Sequence, residues 1–233
     1  PTPNFVSSKT AVTVDQMPPE ILKISREDLR EEGDTGLHPN EEWTLGKLMD
    51  YSLVVSSNDG MRAIATVVGS QLGSSPTTTP EEFFVREMNK NAQGLSLKQT
   101  YFLNQSGLDV SSTLSGGYGS AKDIVLLVDR ILKTNSHLLE ATSFKELGIP
   151  SQDAKHEALN TNKVISQIPN VLASKTGFTD LSGGNVVVAF NAGIGHPIIV
   201  SVLGSTYDGR FVDLKTLVDA TLTYLTNAST TTR

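Results

Sequence analysis

Cysteine is absent from all 233 residues, which excludes disulfides, thiolate zinc sites and thiol nucleophiles. Excess positive charge is absent too. The formal net charge is −6, whereas a general nucleic-acid surface would be basic, so no nucleic acid is expected as a partner. No apolar run approaches the roughly 20 residues of a helical membrane span, and no charged-then-apolar signal segment opens the chain. Any export signal or membrane association is therefore expected from segments outside it. His38, His137, His156 and His196 are scattered and match no metal-ligand spacing. They read as loop or surface residues, and neither a metal nor a cofactor is expected. The pairs Glu31-Glu32 and Glu41-Glu42 read as solvated faces or helix-start charges.

What is present is a globular composition, 38% hydrophobic and 19% charged, in a chain long enough for one sizeable domain or two small ones. Residues 1–43 read as irregular, with extended pieces at Ala11–Val14 and Ile21–Ser25. Thr44 is placed as an N-cap. Leu45, Leu48, Met49 and Leu53 follow it at near-helical spacing. A second helix begins after Ser56-Ser57, capped by Asn58 or Asp59 and ended by Gly69. Thr79-Pro80-Glu81-Glu82 forms a capping box with proline at the first helical position. Ser120-Ala-Lys-Asp123 opens the most regular amphipathic helix, and a short strand is predicted near Lys163–Ile168. Two strands joined by residues 191–195 read as a hairpin, followed by a helix over Phe211–Leu225 and a frayed Ser/Thr-rich tail. A helix-rich middle followed by strand, strand, strand and helix reads as α+β, an antiparallel sheet covered by helices.

Two polar clusters could carry chemistry. Ser56-Ser57-Asn58 lies on a tight helix–helix connection, which presents side chains with little freedom. Lys175-Thr176-Gly177 sits in the stretch Val171–Asp180, which reads as a strand carrying a polar triplet at the edge of a sheet. There lysine offers a point charge to a carboxylate, threonine a neutral donor or acceptor, and glycine room for a backbone to approach. Each alone has a plain explanation, as a helix cap and as a chance tripeptide. Together, in this order and in these contexts, they are hard to ascribe to chance.

The chain resembles the serine D-alanyl-D-alanine carboxypeptidases, the low-molecular-mass penicillin-binding proteins of peptidase family S11. The resemblance rests on Val55-Ser-Ser-Asn-Asp59 for the S-x-N loop, Leu103-Asn-Gln-Ser-Gly-Leu-Asp109 and the helix start Ser120–Asp123. It rests further on Asn160-Thr-Asn162 and on Ser174-Lys-Thr-Gly-Phe-Thr-Asp180 with Gly183-Gly-Asn185. It implies a β-lactamase/transpeptidase-like fold with a helix-rich subdomain over residues 1–226, N-terminally incomplete, and a flexible tail at 227–233. It implies trimming of peptidoglycan stem peptides ending in D-Ala-D-Ala, binding of β-lactams, and an extracytoplasmic location in the bacterial cell envelope or periplasm. By the same resemblance Ser56 relays a proton to the leaving amine, Asn58 binds the substrate amide and Lys175 supplies positive potential. Thr176 bonds the substrate carboxylate, Gly177 keeps the strand edge open, the Phe178 backbone N–H is half of an oxyanion hole, and Thr179 joins the substrate-binding set.

One motif of that family does not occur. No serine here has a lysine three positions later, so the S-x-x-K nucleophile is not in this chain. The expectation is a chain that starts just past that helix and is inactive by itself. The alternative is a domain of the same fold that binds cell-wall peptide or a partner without catalysis. A class A β-lactamase is disfavoured: in His156-Glu-Ala-Leu-Asn160 the acid stands one position too close to the asparagine.

Overall fold

The computed structural model describes residues 21–193 and 195–231; the extended piece expected at Ala11–Val14 lies outside the described residues. Strand β1 (Ile21–Lys23) pairs antiparallel with β2 (Glu42–Thr44). Thr44 then caps α1 (Leu45–Val55), its hydroxyl accepting from the Lys47 N–H. Leu45, Leu48, Tyr51 and Val54 form the buried stripe of that helix, the spacing an amphipathic helix requires. Helix α2 (Asn58–Leu72) starts almost at once, and its N-cap is Ser57 rather than Asn58 or Asp59, with Oγ accepting from the Gly60 N–H at 3.0 Å. It also runs past Gly69. A Cβ at Gly69 would stand 1.8 Å from the Pro80 carbonyl oxygen at the start of α3 (Pro80–Gly94), so this glycine permits helix–helix contact instead of ending a helix. The capping box of α3 is formed as expected, between Thr79 and Glu82.

Helices α1 and α2, the β1–β2 pair and a second hairpin, β5 (Glu146–Pro150) with β6 (Lys155–Leu159), enclose a core centred on Ile24, Trp43, Leu48 and Ile64. The β5–β6 hairpin is not legible from sequence: its strands are short, and proline ends the first. The strand expected at Lys163–Ile168 is instead a 3₁₀ turn at Ile165–Gln167. Asn162 explains the change, because its Oδ1 accepts the Val164 N–H at 3.1 Å and folds the backbone back on itself.

The larger sheet is antiparallel, in the order β7 (Val171–Thr179), β8 (Gly183–Asn191), β9 (Pro197–Ser205). Val186, Val188 and Phe190 of β8 pack on Leu214 and Val218 of the terminal helix α5 (Gly209–Thr231). On the other face Ala173 and Ala189 meet Val128 of α4 (Ala121–Thr134) and Leu139 of the 3₁₀ segment Ser136–Ser143. Two short strands, β3 (Tyr101–Phe102) and β4 (Gly117–Tyr118), tie the intervening loops together. The result is α+β, an antiparallel sheet between helical layers. Helix α5 continues to Thr231 instead of stopping near Leu225, so residues 227–231 are helical. No glycine or proline interrupts it, and the hydroxyls of Thr223 and Thr226 bond the carbonyls four residues back, at 2.8 and 2.9 Å.

Of two residues read as exposed, Glu41 is buried and His156 nearly so. Glu41 is 4% exposed, and its Oε1 lies 2.5 Å from Nε2 of the nearly buried His156. Trp43 and Tyr51 stack around the imidazole, with ring centroids at 4.9 and 5.3 Å. Burial by itself would raise the Glu41 pKa. Hydrogen bonds from Ser151, His156 and the His38 N–H outweigh it and hold the carboxyl below its usual value. A lowered carboxyl stabilises the fold above the unfolded-state pKa, and that contribution is lost as pH falls through the folded one. His156→Leu removes one of the hydrogen bonds to the buried carboxylate and is expected to cost about 1–3 kcal/mol in urea unfolding at pH 7. Glu41→Leu/His156→Leu together are expected to cost less than the sum of the single changes.

Candidate active site

The connection between α1 and α2 is two residues, Ser56 and Ser57, and the first is strained. Ser56 adopts φ +60°, ψ +48°, the left-handed region that non-glycine residues seldom enter. This turn ends α1, leads directly into the Ser57 cap of α2, and aims the Ser56 side chain at Lys175. Residues 31–36 brace it from behind. Thr35 Oγ1 lies 2.7 Å from Ser57 Oγ, Asn58 Nδ2 donates to the Glu32 carbonyl at 2.7 Å, and the Glu31 N–H donates to Asp59 Oδ1 at 3.1 Å. Asn58 is thereby fixed at the mouth of a cleft, with its amide oxygen as the remaining acceptor.

The second wall is the outer edge of β7. Lys175 pairs opposite Val187 and Thr176 opposite Val186, so alternation sends Thr176 towards the α5 face and Lys175 towards the other. Lys175 Nζ donates to Ser56 Oγ at 2.6 Å and to the Thr176 carbonyl at 2.6 Å. The two clusters singled out in the sequence, 119 positions apart, therefore meet in one contact. Desolvation first, and the charge of Arg210 second, pull the Lys175 ammonium from the ordinary lysine value down to about 8.

Between the walls lies a cleft of about 720 Å³, lined by Ser56, Asn58, Lys175, Thr176, Gly177 and Phe178 on one side and by residues of the 100–119 segment on the other. Among the described lining residues Lys175 alone carries a charge. Such a cleft suits a ligand with one anionic end and an uncharged body. Thr179 also lines it, but its hydroxyl is already engaged: it donates to Asp109 Oδ1 at 2.9 Å and accepts from the Ser182 N–H at 3.1 Å. Asp109 Oδ2 also accepts the Leu181 N–H at 3.1 Å, so this pair latches the β7–β8 turn to the opposite wall. Glu157, of the stretch that mimics a β-lactamase motif, is exposed on β6 away from the cleft. Among the described residues no cluster of three metal-ligating side chains exists, and no helix is long and apolar enough to cross a membrane.

Three residues that the sequence reading gave no role adjoin this site. Arg210, 4% exposed at the start of α5, donates to the Gly177 carbonyl at 2.5 Å and lies over the Tyr207 and Phe211 rings at 4.7 and 4.8 Å. Its sequence signal is an arginine between two aromatics, Tyr207-Asp-Gly-Arg-Phe211. Thr161 reaches Thr176, and Asp109 reaches Thr179. Both lie inside segments that carry the resemblance, where nothing in a linear pattern says which side chain touches which.

The family model for D-alanyl-D-alanine carboxypeptidases, peptidase S11, matches residues 5–206. The chain belongs to that family. D-alanyl-D-alanine carboxypeptidase DacF of Bacillus subtilis is 33% identical over 143 residues, covering 61% of this chain and 33% of DacF. DacB2 of Mycobacterium tuberculosis is 25% identical over 174 residues, covering 75% of this chain and 55% of DacB2. The chain thus spans a third to about half the length of these curated S11 relatives. Among solved structures, penicillin-binding protein D2 of Listeria monocytogenes in its ampicillin-bound form superposes with a TM-score of 0.65 at 26% identity, over 88% of this chain and 78% of that one. A Streptomyces K15 DD-transpeptidase mutant gives 0.75 at 19% identity, over 92% of this chain and 82% of that one, a likeness of fold. The S11 members and their β-lactamase-like fold agree with the α+β architecture described above.

Because the folded pKa of Lys175 lies below its unfolded value of 10.5, the unfolded state binds more protons between about 8 and 10.5. This residue's contribution to stability therefore rises with pH through that window. A carbon-detected NMR titration is expected to place its midpoint near 8. Arg210→Gln removes a neighbouring positive charge and is expected to move that midpoint upward; a downward move would contradict the assigned cause.

Proposed function

We propose that this chain carries the substrate-binding and proton-relay wall of a serine-type D-alanyl-D-alanine carboxypeptidase. Its substrates are peptidoglycan stem peptides outside the cytoplasm, and β-lactams are its inhibitors. The observation that carries this reading is the Lys175–Ser56 hydrogen bond inside a cleft whose other charges are absent among the described lining residues. The names of the S11 relatives support it, as does ampicillin held by the Listeria homologue.

In this reading Lys175 and, behind it, Arg210 supply the positive potential that receives the substrate's terminal carboxylate. Thr176 donates to that carboxylate, and Gly177 lets the peptide lie along the β7 edge. A serine hydroxyl attacks the carbonyl carbon of the D-Ala-D-Ala bond, and the Phe178 N–H is one of two donors to the oxygen as it gains charge. The C–N bond breaks, and the proton lost by the serine reaches the leaving amine through Ser56, whose Oγ accepts from Lys175. Water then hydrolyses the ester. Asn58 holds the substrate amide, and Thr179, engaged by Asp109, shapes the end of the cleft.

The attacking serine is not in an S-x-x-K motif of these 233 residues. That favours a second reading, a domain of the same fold that binds cell-wall peptide or a partner without cleaving it. Intact-mass spectrometry with benzylpenicillin separates the two. The 233-residue chain alone is expected to stay unlabelled. Joined to a preceding segment that supplies S-x-x-K, it is expected to gain the mass of the drug, and Lys175→Ala is then expected to slow acylation by about a hundredfold or more. Absence of labelling in the joined protein favours the binding domain. An unchanged rate in Lys175→Ala removes the role assigned to that lysine.

A further inference from the structure

The Thr176 hydroxyl does not face the cleft alone. Thr161 Oγ1 lies 2.7 Å away, on the connection between β6 and β7, and does not itself line the cleft. Its position is held from both sides. Asn160 Nδ2 donates to the Thr142 and Phe144 carbonyls at 2.8 and 3.0 Å, while its Oδ1 accepts the Asn162 N–H at 2.9 Å. Asn162 is 1% exposed and donates to Ser174 Oγ at 3.0 Å. Two anchored asparagines thus fix the residue between them.

A hydroxyl has a single proton to give. If Thr176 gives its proton to Thr161, only lone pairs face the cleft and an arriving carboxylate is repelled. If Thr161 gives its proton to Thr176, the Thr176 proton is free to point into the cleft, and the two bonds polarise each other. We propose that Thr161 is a positioning residue: it donates to Thr176 and thereby sets Thr176 as the hydrogen-bond donor to the ligand's carboxylate. This rests on the reading of the β7 edge as a carboxylate site.

The test uses two ligands, N-acetyl-D-alanyl-D-alanine and N-acetyl-D-alanine ethylamide, the same molecule without its terminal carboxylate. Binding to the 233-residue protein is followed by amide chemical shifts. Thr161→Val is expected to weaken the carboxylate ligand about three- to tenfold, the worth of one hydrogen bond, and to leave the weaker ethylamide binding unchanged. Thr161→Ser, which restores the hydroxyl, is expected to bind as the unaltered protein does. In a Thr176→Val background Thr161→Val is expected to add no further loss, because the two residues act through one bond. An equal loss for both ligands, or no loss for the carboxylate ligand, overturns the proposal and leaves the β7 site standing. If the unaltered protein binds the two ligands equally, or binds neither, the carboxylate reading itself fails and the role of Thr161 falls with it.

Discussion

A lysine held out of water at a strand edge is the constraint around which this molecule is arranged. An ammonium loses hydration on burial and must recover it from fixed oxygens. Lys175 recovers it from Ser56 Oγ and the Thr176 carbonyl. Those two oxygens come from different layers, so the contact exists only if the α1–α2 turn and the β7 edge are registered to within a fraction of an ångström. The strained backbone of Ser56, the cap at Ser57 and the brace from residues 31–36 all serve that registration.

The rest of the fold supplies rigidity on either side of the contact. Helix α5 and the α4 layer clamp opposite faces of the sheet, leaving the β7 edge as the surface open to a ligand. Arg210 reaches through from α5 to the Gly177 carbonyl. It both pins the strand and adds a second positive charge beneath it, which is one cause of the lowered Lys175 pKa. The cleft therefore gains its electrostatic character from buried groups rather than from surface charge, which in this acidic chain has the opposite sign.

Local signals that depend on neighbouring residues were readable in the sequence itself. The capping box at Thr79–Glu82, the Thr44 and Ser120 caps and the strands around Lys175 follow from short-range patterns. Signals that depend on a distant partner were not. Gly69 reads as a stop and proves to be a contact with α3; Glu41 and His156 read as exposed and bury each other. In each case the deciding atom lies on another element.

The sequence by itself determined the composition class, the main helices and strands, and the two polar clusters whose order carries the family resemblance. It also determined that no S-x-x-K occurs among these residues. Only the tertiary structure decided that Ser56 and Lys175 touch, that the Thr179 hydroxyl bonds Asp109 at the end of the cleft, and that Thr161 and Arg210 stand behind it. The physical reason is the range of the forces involved. Caps and periodicity act over a few residues along the chain. A hydrogen bond has no preference for sequence neighbours and forms wherever packing brings a donor and an acceptor within about 3 Å.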